Sequence, residues 1–195
     1  MNPNKWNSLS SGAIVAITMA AAGCANEGGM AMRTDKTMAM SALSAHVALA
    51  PTAGNSINGN LELEPMRHDV HLSGFLSGFV PGSVHGFHVH EKGDCSAPDG
   101  SSAGGHFNPG GVAHGNPSSP LHHAGDMTNI SADAQRMVKV NVLLKDVSLG
   151  TGAGNDIIGR AIVIHGAADD YTSQPSGNSG LRVACGVIEK GGVSH

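Results

Sequence analysis

The chain has 195 residues, a formal net charge of −4, 13% charged and 3% aromatic residues, and 28 glycines. That composition is too poor in helix-forming material for a bundle and too rich in glycine for long uninterrupted elements. It contains no basic cluster, which excludes the electrostatic footprint of a nucleic-acid binder. The anomaly is 12 histidines, and imidazole is the commonest side-chain ligand for borderline metals.

The length suits one domain with an appended segment. Lys5 precedes a short apolar run, Gly12 to Ala22, which is too short to cross a bilayer comfortably and ends in small residues. Residues 1–23 therefore read as an export signal outside the fold. Ala21-Ala22-Gly23-Cys24 resembles the lipobox of bacterial lipoproteins, with alanine where leucine is usual. The resemblance implies that Cys24 is acylated and anchors the chain to a membrane; ordinary cleavage nearby would instead release a soluble periplasmic protein. Both readings place the mature chain in a compartment that permits disulfides. Of the three cysteines, a lipidated Cys24 leaves Cys95 and Cys185 as a pair. Closing a loop of that length stabilises a fold by about 4 kcal/mol in the chain-entropy model.

Residues 24–41 are small and polar and carry Met30, Met32, Met38 and Met40. They read as a flexible linker, although thioethers also bind Cu(I). From residue 42 to 190 short apolar runs alternate with turn chemistry, and 191–195 reads as a tail. The patterning predicts strands at 44–50, 57–64, 68–76, 84–90, 137–144, 160–165 and 181–188. Turns fall at Pro51 to Asn55, Pro81-Gly82 and Gly150 to Asn155. Between Glu91 and Arg136 lies a long stretch of Gly, Pro, Ser and His without periodicity, and loops of that length are usually functional. The expected class is all-β, an antiparallel sandwich or barrel with one large loop.

His88 and His90 alternate around Val89, so their imidazoles share one face of a strand and can chelate one metal. His106, His114, His123 and Asp126 follow in the long loop, and His165 ends another strand. A loop poor in apolar residues needs something other than a core to hold it. Three imidazoles and a carboxylate form a set that zinc favours, and an all-imidazole site on rigid strands suits redox-active copper. His46, His68 and His71 read as surface or packing residues, and His85 as a local hydrogen-bonding group. The spacing of His123 to Asp126 favours His123 over His122 as the ligand.

Two longer runs carry a family resemblance. Gly86-Phe87-His88-Val89-His90-Glu91-Lys92-Gly93-Asp94 and Gly177-Asn178-Ser179-Gly180-Leu181-Arg182-Val183-Ala184-Cys185-Gly186-Val187-Ile188 resemble the two signatures of copper/zinc superoxide dismutases. Gly105-His106-Phe107-Asn108-Pro109, His114-Gly115, His123-Ala124-Gly125-Asp126 and Ile158 to His165 match the segments between and around them. The resemblance covers roughly residues 43 to 190. It implies a Greek-key β-barrel or sandwich of about eight antiparallel strands with long metal-binding and electrostatic loops. It implies copper on His88, His90, His106 and His165, and zinc on His106, His114, His123 and Asp126, with His106 bridging the metals. Asp169 would be the carboxylate linking His88 to His114, and Cys95–Cys185 the disulfide. Arg182 would attract and orient the superoxide anion.

The implied reaction is dismutation of superoxide to oxygen and hydrogen peroxide at copper bridged to a structural zinc, protecting the cell envelope. One copper and one zinc per subunit are expected, with no nucleic-acid partner and a homodimer left open. The segment from Gly166 to Leu181 is shorter than the eukaryotic electrostatic loop and has no lysine, leaving steering to Arg182 and candidates such as Lys92. The rival reading is a non-enzymatic copper- or zinc-buffering lipoprotein on the same fold. A copper-chaperone-like domain and a purely structural β domain are further rivals. His165 and Arg182 argue against all three, because structural zinc and a disulfide need neither.

Overall fold

A computed structural model describes residues 44–191. The expected export signal, Cys24, the expected linker with its methionines, and His195 lie outside them. The described residues form strands β1 (Ala45–Pro51), β2 (Asn58–Met66), β3 (Asp69–Ser77), β4 (Val84–His85), β5 (Phe87–His90), β6 (Ile130–Ser131), β7 (Met137–Leu144), β8 (Ala161–His165) and β9 (Arg182–Lys190), with a 3₁₀ turn at Ser101–Ala103. All strand pairs are antiparallel. The main sheet has seven strands in the order β5-β8-β9-β1-β2-β3-β7, and β4 pairs with β6. This is the all-β class expected of the sequence.

Period-2 patterning explains which face goes inward. Val138, Val140 and Leu144 of β7 are buried while Lys139, Asn141 and Leu143 are exposed. Val47 and Leu49 of β1, Leu61 and Leu63 of β2, and Val70, Leu72 and Leu76 of β3 join the same core. Burying each such side chain contributes roughly 1.5–3 kcal/mol before entropy is counted. β8 departs from the alternation because all five of its residues are buried. Ile162 and Ile164 face the main core, whereas Ala161 and Val163 pack under the long loop with Ala103, Cys185 and Cys95. That strand is covered on both faces, so it reads as a continuous apolar run.

The expected strand at 84–90 is two strands broken at Gly86. The Gly86 amide donates to Ala167 O at 2.8 Å and its carbonyl accepts from the His165 amide at 2.9 Å. A Cβ there would press on Ser179 and His88, so only glycine allows this approach. β4 can therefore turn away to β6 while β5 pairs with β8. The sequence pattern gives no warning of β6, which is two residues long and embedded in the loop stretch.

The long loop is laid along the free edge of β5. Glu91 N donates to Gly105 O, Phe107 N to Val89 O, Val89 N to Gly125 O and Gly125 N to Phe107 O, at 2.8–2.9 Å. His90 and His106 form one isolated bridge, and His88 and Asp126 another. The edge that would otherwise be unpaired is thereby covered. The same bonds carry loop residues to the strand that bears His88 and His90.

Candidate metal centre

The structure brings all the predicted ligand residues together. His88, His90, His106 and His165 form one cluster and His106, His114, His123 and Asp126 a second, with one ligand atom from each residue lying within 4.8 Å of the others in its cluster. All are buried, from 0% exposure at His88 to 8% at His106. His106 is common to both.

The hydrogen bonds decide which nitrogens face inward. His90 Nδ1 donates to Gly104 O at 2.9 Å and His165 Nδ1 to Gly180 O at 3.2 Å, which leaves both Nε2 atoms bare. His88 Nε2 and His114 Nε2 donate to the two oxygens of Asp169, at 2.8 and 3.0 Å. The inward atoms His88 Nδ1, His106 Nε2, His114 Nδ1 and His123 Nδ1 are buried and have no hydrogen-bond partner. His90 Nε2 and His165 Nε2 face each other at 3.3 Å. With both Nδ1 protons committed to carbonyls, that contact sets lone pair against lone pair. Each orphaned buried polar atom costs about 1–3 kcal/mol. So many in one place are explained by a cation, and the donor set fits one.

The second cluster is organised by Asp126. Its Oδ1 lies 2.8 Å from His106 Nδ1, 3.0 Å from His114 Nδ1 and 3.4 Å from His123 Nδ1. The His114 contact has ion-pair distance without hydrogen-bond geometry, as expected of two groups aimed at a common point. Asp126 Oδ2 accepts from the backbone amides of His123 and Gly115, at 2.8 and 3.2 Å.

Burial keeps His90, His106 and His165 neutral, and hydrogen bonds keep Asp126 and Asp169 charged. Burial lowers His106 from 6.5 to about 4, against the pull of Asp126. Burial, with neighbouring His88, lowers His165 to about 3. Burial and His106 also hold His90 well below its usual value. For Asp126 burial acts upward, but hydrogen bonds from His106 and His123 outweigh it and hold the carboxyl far below its ordinary range. Asp169 behaves alike: burial raises it, and His88, the Tyr171 amide and His114 bring it down. Neutral imidazole and ionised carboxylate are the metal-binding forms.

Arg182 sits at the start of β9, beside the first cluster. Its Nη1 donates to Gly100 O at 2.6 Å and Nη2 to Gly104 O at 2.5 Å. A cleft of about 500 Å³ opens over the clusters and is lined by His90, His106, His165, Arg182, Gln174 and Pro175, among others. Lys92 does not line it. Cys95 and Cys185 are bonded to each other, with Cα atoms 5.8 Å apart. His122 turns away, its Nδ1 donating to His123 O. His85 is buried and donates from Nδ1 to His165 O at 2.6 Å.

Some supporting residues carry no signal in the sequence. Asn129 clamps the main chain of Asp169, with Nδ2 donating to Asp169 O and Oδ1 accepting from the Asp169 amide, at 2.9 and 2.8 Å. Tyr171 Oη accepts from the Asn129 amide at 2.7 Å. Gln174 contacts His114 through both ends of its amide. None of these residue types announces metal chemistry, and each acts across a long sequence separation.

Comparison with known proteins agrees with this centre. Residues 57–188 match the family described as copper/zinc superoxide dismutase. A relative named superoxide dismutase [Cu-Zn] 2, from Aquifex aeolicus, is 45% identical over 151 residues, covering 75% of this chain and 86% of its own. The superoxide dismutase-like protein YojM of Bacillus subtilis is 40% identical over 159 residues, covering 78% of this chain and 80% of its own. The solved structure of the clock protein EA4 superposes with a TM-score of 0.68 at 36% identity, covering 77% of this chain and 96% of its own. The chain belongs to the copper/zinc superoxide dismutase family. The two histidine-rich clusters match the one copper and one zinc per subunit of that family.

Proposed function

We propose that this chain dismutes superoxide outside the cytosol. His88, His90, His106 and His165 hold copper, and His106, His114, His123 and Asp126 hold zinc. The observation that carries the reading is His106, whose Nδ1 is turned to Asp126 while its buried Nε2 faces the first cluster without a partner. A zinc-storage protein needs no such shared imidazole, and no open cleft ending at Arg182.

Copper, when bound, supplies the one-electron chemistry that converts two superoxide anions to oxygen and hydrogen peroxide. The protein's residues do the rest. His88, His90 and His165 are fixed by hydrogen bonds from their outer nitrogens, so the inner ones need no reorganisation. Arg182 puts a permanent positive charge in the cleft, held to two carbonyls, where it draws in and orients a small anion. His106 Nε2 is the atom placed to take up and release a proton during turnover. Asp126 keeps His106 Nδ1 directed to the second cluster. Asp169 ties His88 to His114, so the two clusters share one support. The Cys95–Cys185 bond is compatible with export, for which residues 1–24 supply the signal and the candidate lipid anchor at Cys24.

Metal-buffering on the same scaffold is the competing reading, favoured by relatives whose names say only dismutase-like or clock protein. Superoxide removal by copper- and zinc-loaded protein separates the two. Activity should require copper and fall at least about tenfold in Arg182→Ala, and His165→Ala should lose more than the roughly 100-fold typical of an outer-shell partner. Full metal occupancy with no activity in the wild type would leave buffering as the function.

A further inference from the structure

His114 is held in an unusual way for a residue on a segment with no regular structure. Its ring is gripped by Asp169, through Nε2 to Oδ1 at 3.0 Å. Its main chain is gripped by Gln174: the His114 amide donates to Gln174 Oε1 at 2.9 Å, and Gln174 Nε2 donates to His114 O at 2.9 Å. This is the donor and acceptor pairing of a neighbouring strand, delivered by one side chain.

The loop that carries Gln174 is itself built to present it. Asp170 Oδ1 accepts from the amides of Thr172 and Ser173, at 2.8 and 2.7 Å, and Oδ2 accepts from Ser173 Oγ at 2.6 Å. Asp170 N donates to Gly177 O and Gly177 N to Ser173 O, which closes the turn behind Gln174. Gly177 has φ 67° and a Cβ there would overlap the Asp169 carboxylate, so the chain can fold back only with glycine at that point. Gln174, Pro175 and Ser176 then form part of the cleft wall.

We infer that Gln174 is a positioning residue for the second metal cluster: its amide fastens the loop between β8 and β9 to His114 and so couples zinc binding to the wall of the cleft. The inference rests on the zinc assignment proposed above. Without the clamp, only Asp169 ties this loop to His114, and it does so at the ring. The main chain of His114 would then be free to swing its Nδ1 away from His106, His123 and Asp126.

The test uses the full chain with its disulfide formed, comparing wild type, Gln174→Ala and Gln174→Glu. Zinc affinity is read by competition with a chromophoric chelator, and amide hydrogen exchange is followed at His114 and Leu72 in the metal-free protein. Gln174→Ala should weaken zinc by about tenfold or more, in the range of other outer-shell losses. Its His114 amide should exchange faster while Leu72, in β3 between β2 and β7, stays protected. Gln174→Glu keeps the acceptor for the His114 amide but loses the donor to its carbonyl, so it should fall between the two. Zinc uptake by the wild type with affinity in Gln174→Ala retained to about twofold, and a His114 amide still protected, would overturn the inference alone. A wild type that takes up no zinc would overturn the metal assignment and the inference together.

Discussion

The two clusters share His106 yet are built in opposite ways. His88, His90 and His165 stand on β5 and β8, strands paired in register from Phe87↔Ile164 to His90↔Ala161. Their backbones are fixed by the sheet ladder and by the core beneath Ile162 and Ile164. His114, His123 and Asp126 stand on a segment with no sheet ladder, and what holds them is polar: Asp126, Asp169, Gln174 and a few main-chain bonds. On the proposed copper assignment, the first cluster changes oxidation state and gains from a seat that does not move. A site that orders a loop can instead draw part of that order from its own ligand.

The largest break in this contrast comes from cutting the covalent tie between the regions. Cys185 lies on β9 and Cys95 in the loop, 90 residues apart in sequence. Replacing both with serine should lower stability by about 4 kcal/mol, read as a shift in denaturant midpoint, and should release the turn whose Gly100 carbonyl holds Arg182. A loss confined to stability, with activity per folded molecule intact, would show that the strands alone position Arg182.

Acid sharpens the contrast in the metal-free protein. His165 and His106 titrate at about 3 and about 4 when folded and near 6.5 when unfolded. The unfolded chain therefore binds protons first, so their contribution is complete above about 6.5 and is lost as pH falls toward the folded values. Between pH 7 and 5.5 the two groups together should reduce stability by about 2.5 kcal/mol, measured by denaturation of metal-free protein across that range. A flat profile would mean that the imidazoles are not held neutral by burial.

Asp169→Asn probes the carboxylate that supports a histidine in each region. An amide cannot accept from His88 and His114 together, so zinc affinity should drop about 10–100-fold, with a smaller change at copper because the His88 backbone stays in its ladder. Equal losses at the two sites would show that the strand seat confers no advantage.

The sequence made the strands legible where one face is buried, as in Met137–Leu144, whose predicted and observed limits coincide. It made the ligands legible because histidine and aspartate are uncommon in buried positions and were spaced within recognisable motifs. The break at Gly86 was hidden, since it depends on Ser179 and on main-chain bonds to residues 165–167. Gln174, Asn129 and Tyr171 were hidden for a related reason. Their side chains have no distinctive chemistry, and their partners are 40 to 60 residues away.

Because one imidazole belongs to both clusters, the two sites cannot be filled as independent events. Whatever factor a first ion exerts on the affinity for the second, the second must exert on the first. Occupancy of this chain is then a joint readout of two metal supplies, and scarcity of either changes how the other is retained.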